Sequence, residues 1–376
     1  LHIPAAAQSL MPSARRIHPL AHAFTWSAPS LILLLSGCAT PPTGEGNTNS
    51  QRFSVSAREY GYVRPAVDVR VIGRAQETRS HRFAGSGDDL WDRVRHGDRL
   101  GVTSHERVEH ALRTLKRNPD YLTDLTRRAR PYLHLIMGEL ERHGLPAELA
   151  LLPEIESRYN PQAISPMSAT GMWQFMPYTG VEMGLTQNQW YDGRNDILAS
   201  TRGAIAYLRQ LHRELDGDWA LALAGYNAGP GRVRAAQRAN RAAGKPTDFW
   251  SLDLPAETEH YVPKLLAIAK LVREHQTHGL QMPAIANQPR LEIVEGRQQI
   301  DLAQAAEACG VTVAQLKQLN PGLKRGKTLP GGPHRVLVPA GTGDKLRTAL
   351  AKAGNLAEPS LAASRPPSAS TAGGDS

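Results

Sequence analysis

Apolar residues return every three or four positions along much of this chain. After Asn118-Pro119, the residues Leu122, Leu125, Ala129, Leu133, Ile136 and Leu140 fall on one side of an amphipathic helix, and Gly144 supplies its stop. A second helix is predicted from Pro146, whose fixed φ suits a first helical position, to the break at Asn160-Pro161, with a kink at the internal Pro153. Beyond a loop over residues 161–177, Ile197, Ile205, Leu208, Leu211 and Leu215 mark a helix that begins near Asn195-Asp196. Asp218 caps a shorter one that runs to Ala228, where Gly229-Pro230-Gly231 interrupts it. Pro255 opens another, with Val262, Leu265, Leu266, Ala269 and Val272 as its stripe. Since helical periodicity begins near Asp88, residues 88–280 read as an almost entirely helical domain.

The pattern then changes. A proline-rich joint from Pro283 to Pro289 leads to an extended Leu291–Val294 segment, helices over 300–309 and 312–319, and an extended Arg335–Val338 run. That order predicts a small β-α-α-β module over residues 290–340, so the fold class is mainly α with a minor mixed module. Residues 38–87, rich in Pro, Gly, Ser, Thr and Asn, are expected to form a tether with little structure, and residues 353–376 a disordered tail.

The front end has its own layout. Arg15-Arg16, the apolar run Leu31–Leu35 and the small residues Ser36-Gly37 follow the order of a secretory signal, 1–37, and the run is too short to span a bilayer. Leu35-Ser36-Gly37-Cys38 resembles the lipobox of bacterial lipoproteins, which implies cleavage before Cys38 and lipid on its thiol. Ala39 after it implies sorting to the outer membrane, facing the periplasm. The alternative is an ordinary signal peptide that contains a cysteine.

Composition changes little. Of 376 residues, 41% are hydrophobic and 21% charged, as in ordinary folded protein, and the net charge of +9 favours acidic partners. Clusters such as Arg127-Arg128 and Arg130 read as solvated helix faces, and no nucleic-acid partner is expected. Cys38 and Cys309 make neither a zinc site nor a CxxC pair. The chain has no GxxxxGK[ST], HExxH or GxSxG motif, and His275-x-x-His278 lacks further ligands at metal spacing, so no metal or cofactor is expected.

Three stretches could carry chemistry. Glu154-Ile155-Glu156 puts two carboxylates about 200° apart around a helix, so only one can face a given cleft, and pattern alone does not choose between them. Leu151, Leu152 and Ile155 supply an apolar wall that would keep a carboxyl protonated near neutrality. The stretch Ser165–Pro177 combines Gly, Trp, Gln, Met and Pro, which suits a carbohydrate cleft, although composition alone favours a loop that covers a core. Tyr226-Asn227-Ala228-Gly229 sets polar groups at a helix end, where capping alone would also call for them.

Together, in this order, these stretches resemble the goose-lysozyme-like lytic transglycosylases. Glu156-Ser157 matches that family's catalytic Glu-Ser, Gly171–Pro177 its G-[LM]-x-Q-x-x-P loop, and Tyr226–Gly229 its A-Y-N-A-G turn, with Gly225 in place of the first Ala. Residues 244–252 and 255–264 also resemble the membrane-bound lytic murein transglycosylase D group. The resemblance implies a lysozyme-like catalytic fold with Glu156, rather than Glu154, as catalytic acid and base. Gln174, Tyr226, Asn227 and Tyr261 are expected to shape the substrate cleft, with Ser165 and Met172 as further candidates. Glu257 reads as a helix-start carboxylate outside the site. The implied reaction cleaves the β-1,4 bond between N-acetylmuramic acid and N-acetylglucosamine and closes a 1,6-anhydro ring. The implied partners are peptidoglycan glycan strands and, through the lipid on Cys38, a membrane. Rival readings are a lysozyme-type hydrolase and a non-catalytic wall-binding lipoprotein. Residues 310–321 resemble the second helix and terminal Asn of a LysM repeat, although Arg297–Leu302 departs from that repeat's usual opening.

Overall fold

A computed structural model of the chain describes residues 87–96, 99–101 and 104–356. The signal segment, Cys38, the tether up to residue 86 and the tail from residue 357 lie outside the described residues. In chain order the helical domain comprises α1 (Leu90–Arg95), α2 (Glu106–Lys116), α3 (Tyr121–Ala129), α4 (Leu133–Arg142), α5 (Leu152–Glu156), α6 (Pro177–Glu182), α7 (Ile197–Glu214), α8 (Trp219–Ala228), α9 (Pro230–Ala242) and α10 (Ala256–Arg273). The C-terminal module follows with β1 (Leu291–Glu295), α11 (Leu302–Cys309), α12 (Val313–Leu319), β2 (Arg335–Pro339) and α13 (Gly343–Lys352). The chain is thus mainly helical with a small β-α-α-β module, as its periodicity predicts.

Prolines account for the departures. The single helix expected after Asn118 is two, α3 and α4, because Pro131 has no N–H to extend α3 and its ring crowds the preceding turn. The apolar stripe hides the break, since Leu122, Leu125, Leu133, Ile136 and Leu140 are all buried on both sides of it. The helix expected from Pro146 to Asn160 is a 3-10 turn, Ala147–Leu151, followed by α5, and Pro153 lies in the first turn of α5 rather than at a kink. Pro230, read as a breaker, also starts α9 from a first-turn position.

Helix α8 forms the centre. Its consecutive residues Leu221 to Gly225 are all buried, between α7 and α10, and both of its ends are half-buried. Helix α2 packs along α10 on another side of the domain.

In the module, β1 and β2 pair antiparallel with Val294 opposite Val336. Val294, Leu302, Leu316, Val336 and Val338 form its core, joined by Leu346 and Leu350 of α13, a helix in the stretch 341–352 to which the pattern assigns no element. The module docks on the loop 186–196 of the helical domain. Asp192 donates its backbone N–H to the Gly322 carbonyl at 3.0 Å and Lys324 donates to the Trp190 carbonyl at 2.9 Å. Asp196 accepts from Arg335 at 2.9 Å and from the Tyr191 hydroxyl at 2.8 Å. The approach is close: a Cβ on Gly322 would come within 2.9 Å of the Asp192 carbonyl oxygen.

Candidate active site

Helix α5 ends at Glu156, and what ends it also aims that side chain. Arg158 and Tyr159 both take left-handed backbone conformations, φ 55° and 59°, which non-glycine residues seldom adopt. Tyr159 is held there from two directions: its N–H reaches the Pro153 carbonyl at 3.0 Å and its buried hydroxyl donates to the Ala150 carbonyl at 2.6 Å. The chain therefore reverses directly after the carboxylate. Ser157 ties the reversal to the neighbouring loop by donating Oγ–H to the Met172 carbonyl at 2.8 Å.

The two glutamates separate cleanly. Glu154 is buried and forms a two-pronged pair with Arg128, at 2.7 and 3.2 Å, which occupies its carboxylate inside the fold. Glu156 is half-buried, and its Oε1 accepts a short hydrogen bond from the Tyr261 hydroxyl of α10. Burial lifts the Glu156 carboxyl from the usual 4.5 to about 7; the Tyr261 hydrogen bond opposes this, the Glu257 charge adds to it and the Lys264 charge opposes it. Burial also raises the Tyr261 and Tyr226 hydroxyls well above their ordinary range, so both are protonated donors at neutral pH.

The loop before α6 is held by its own backbone. Gly171 has φ 87°, and a Cβ there would collide with the Arg194 carbonyl oxygen, so the position needs glycine twice over. Trp173 is fully buried and donates Nε1–H to Thr201 at 3.0 Å. Gln174 donates Nε2–H to the Gly171 carbonyl at 2.7 Å, which leaves its Oε1 without a partner among the described residues. Ser165 accepts the Ala169 N–H at 3.0 Å on its Oγ and so closes a tight turn. Met172, expected to face the cleft, is instead fully buried; its carbonyl, not its thioether, serves the site by holding Ser157.

The half-buried C-terminal end of α8 completes the arrangement. Tyr226 donates to the Trp173 carbonyl at 2.8 Å and packs against Tyr207, ring centroids 5.5 Å apart. Asn227 accepts from Thr258 at 2.7 Å and donates to Glu257 at 3.1 Å. Glu156, Tyr226, Asn227 and Tyr261, drawn from three helices, are thereby linked, while Gln174 and Ser165 belong to the adjoining loop. Glu257, expected outside, acts on the Glu156 charge and holds Asn227. The signal for it was present, because Glu257, Tyr261 and Lys264 fall four and three apart on one stripe of α10.

Residues 135–249 match the family model described as Transglycosylase SLT domain, and residues 290–355 match the one described as Lytic transglycosylase MltD, LysM-like domain. The chain is 36% identical over 319 residues to the protein named Membrane-bound lytic murein transglycosylase D of Escherichia coli (strain K12), covering 85% of this chain and 69% of that protein. It is 35% identical over 178 residues to a Putative tributyltin chloride resistance protein of Alteromonas sp. (strain M-1), across 46% of this chain and 84% of that one. The X-ray structure of an inactive mutant of the lytic transglycosylase Slt from Pseudomonas aeruginosa aligns at 22% identity and a TM-score of 0.33, over 52% of this chain and 34% of that one.

Proposed function

The chain belongs to the membrane-bound lytic murein transglycosylase D family, and from that premise we propose that Glu156 cleaves the β-1,4 bond between N-acetylmuramic acid and N-acetylglucosamine in peptidoglycan without water. The protein is a lytic murein transglycosylase, an enzyme with an SLT domain and a C-terminal LysM-like module.

The observation that carries the mechanism is the half-buried Glu156 carboxyl, raised to about 7, beside a Glu154 that is already spent on Arg128. A carboxyl with that affinity is protonated often enough at neutral pH to give its proton to the leaving glycosidic oxygen. As a carboxylate it then takes the proton of the muramic C6 hydroxyl, whose oxygen attacks the anomeric carbon and closes the 1,6-anhydro ring. Tyr261 fixes the rotamer of Glu156 and steadies its charged form between the steps. Asn227, Tyr226 and the Oε1 of Gln174 offer polar contacts to the sugars, and Ser165 and Met172 support the loop that bears Gln174.

The exposed Glu257 supports a second reading, a lysozyme-type hydrolase in which it would activate water, since hydrolytic glycosidases use two carboxylates. Mass spectrometry of muropeptides released from purified sacculi separates the two. The parent enzyme should yield 1,6-anhydro ends and the Glu156→Gln variant none; reducing ends from the parent would replace the transglycosylase mechanism with hydrolysis.

We further infer that domain limits near 88–280 and 290–340, the latter extended through α13, divide catalysis from glycan contact. The relative's name describes it as membrane-bound, and no helix among the described residues is long and apolar enough to cross a membrane. Lipid on Cys38, with the enzyme held at the outer membrane and facing the periplasm, is the attachment consistent with both.

A further inference from the structure

Beside the Glu156 site, α2 and α10 enclose an open cavity of about 620 Å³, within the range of small-ligand sites. Its place relative to the reacting carboxylate follows from helix geometry. Glu257, Tyr261 and Lys264 form the stripe of α10 that acts on Glu156, whereas Glu259, His260, Pro263 and Lys264 face the cavity, roughly a quarter-turn round the helix. Lys264 belongs to both sets, so the cavity opens off the flank of the catalytic cleft.

Most of its lining surface is apolar, with charged groups of both signs set into it. Arg107 and Arg113 of α2 stand with Lys264 of α10 as cations, and Glu106 and Glu259 supply carboxylates. Arg113 and Lys264 are exposed and make no ion pair among the described residues. Arg107 donates Nη2–H to the Trp250 carbonyl at 3.3 Å, and its buried Nη1 has no hydrogen-bond partner among the described residues. Pro263, inside α10, has no N–H, so the carbonyl of Glu259 on the cavity wall lacks its helical donor. Cations, carboxylates and a released backbone acceptor together complement a short zwitterionic peptide better than a neutral sugar, which needs no charge to bind it.

We propose that this α2–α10 cavity is a subsite for the peptide stem carried by the muramic acid residues of peptidoglycan, with Arg107, Arg113 and Lys264 binding stem carboxylates and Glu106 and Glu259 receiving its amine. The inference rests on the peptidoglycan-cleaving reading of Glu156. It makes the enzyme selective for peptide-bearing over stripped glycan, with the selectivity located outside the reacting groups.

The test compares the full chain and its Arg113→Glu and Arg107→Gln variants on two substrates, peptide-bearing glycan strands and the same strands stripped of peptide by an amidase. Arg113 is exposed on α2 and holds nothing together, so Arg113→Glu leaves the fold intact. The expected result is a KM on peptide-bearing strands raised roughly tenfold in each variant, the scale of one lost charge-assisted hydrogen bond, with rates on stripped strands within about twofold of the parent. Arg113→Lys should restore most of the loss. An equal fall on both substrates, or unchanged kinetics on both in the two variants, would overturn the subsite. A parent enzyme that prefers stripped strands would overturn it as well. Loss of the underlying reading is told apart by the parent alone, which would then release no anhydro product from either substrate.

Discussion

Tyr261 of α10 donates its hydroxyl hydrogen to Oε1 of Glu156 across 105 residues of chain. The bond favours the charged carboxylate, so it opposes the burial that lifts Glu156 to about 7. Because the proposed first step needs the protonated acid, kcat/KM should fall on the alkaline side with a midpoint near pH 7. Tyr261→Phe removes the opposing contribution, so this limb moves to higher pH while the maximal rate drops by about 10- to 100-fold, the scale of a misplaced acid. A pH profile of soluble product release measures both. A limb that moves down in Tyr261→Phe would refute the assigned direction.

Glu257 makes the complementary case. Its charge raises the Glu156 carboxyl, so Glu257→Gln should shift the alkaline limb to lower pH. The amide oxygen of the new side chain still accepts from Asn227, which keeps that residue in place. Anhydro products should persist at low pH, since the mechanism asks no chemistry of Glu257. Complete inactivity at every pH would give it the second catalytic role that the hydrolytic reading requires.

Glu156 also sets a pH dependence of stability. Its proton affinity is higher in the folded state than the usual 4.5, so the folded protein is favoured below that value and loses this contribution as pH rises through about 7. Gln at 156 carries no charge to desolvate. The Glu156→Gln variant should therefore melt higher than the parent at pH 8, with the gap closing toward pH 5. Calorimetry at the two pH values reads the difference, and a constant gap would mean that Glu156 is not desolvated.

How much of this was legible in the sequence differs from one residue to the next. The stripes of α7 and α10 could be read directly because their apolar spacing and the cap at Asp196 agree. Pro131 broke an expected helix unseen because both halves bury the same face, so periodicity ran on across the break. The choice of Glu156 over Glu154 needed the resemblance; nothing local to Glu154-Ile155-Glu156 reveals Arg128, 26 residues upstream, whose pairing withdraws Glu154. The buried place of Met172 was hidden for a like reason. Its carbonyl works for Ser157, and backbone roles leave no mark on residue type.

Arg128 yields a sharp prediction of its own. Glu154 is buried, with its carboxylate oxygens bonded to that guanidinium, so Arg128→Ala strands a charge inside the fold. Breaking such a pair from one side costs about 3–5 kcal/mol. Denaturant unfolding should show a loss of that size, and the double variant Arg128→Ala with Glu154→Gln should recover a large part of it. A change below about 1 kcal/mol would put the pair in the class of exposed surface bridges.

Arg335 of β2 reaches from the module to Asp196, the residue that caps α7 by accepting from Ala199 at 2.7 Å and that also holds Tyr191. The bond is shielded, both side chains being less than one-fifth exposed, at 14% and 18%. Asp196 adjoins Arg194, whose guanidinium donates to the Ser168 carbonyl in the loop beside the catalytic site, so the docked module braces the stretch that supports that loop. Arg335→Ala keeps the α7 cap and the Tyr191 contact but removes the charged link, at a cost of about 1.5–3 kcal/mol. The module should then separate more often, and proteolysis in the Pro283–Pro289 joint should quicken by about tenfold or more, as each 1.4 kcal/mol shifts an opening equilibrium tenfold. Cleavage as slow as in the parent would mean that the backbone bonds of Asp192 and Lys324 hold the module unaided.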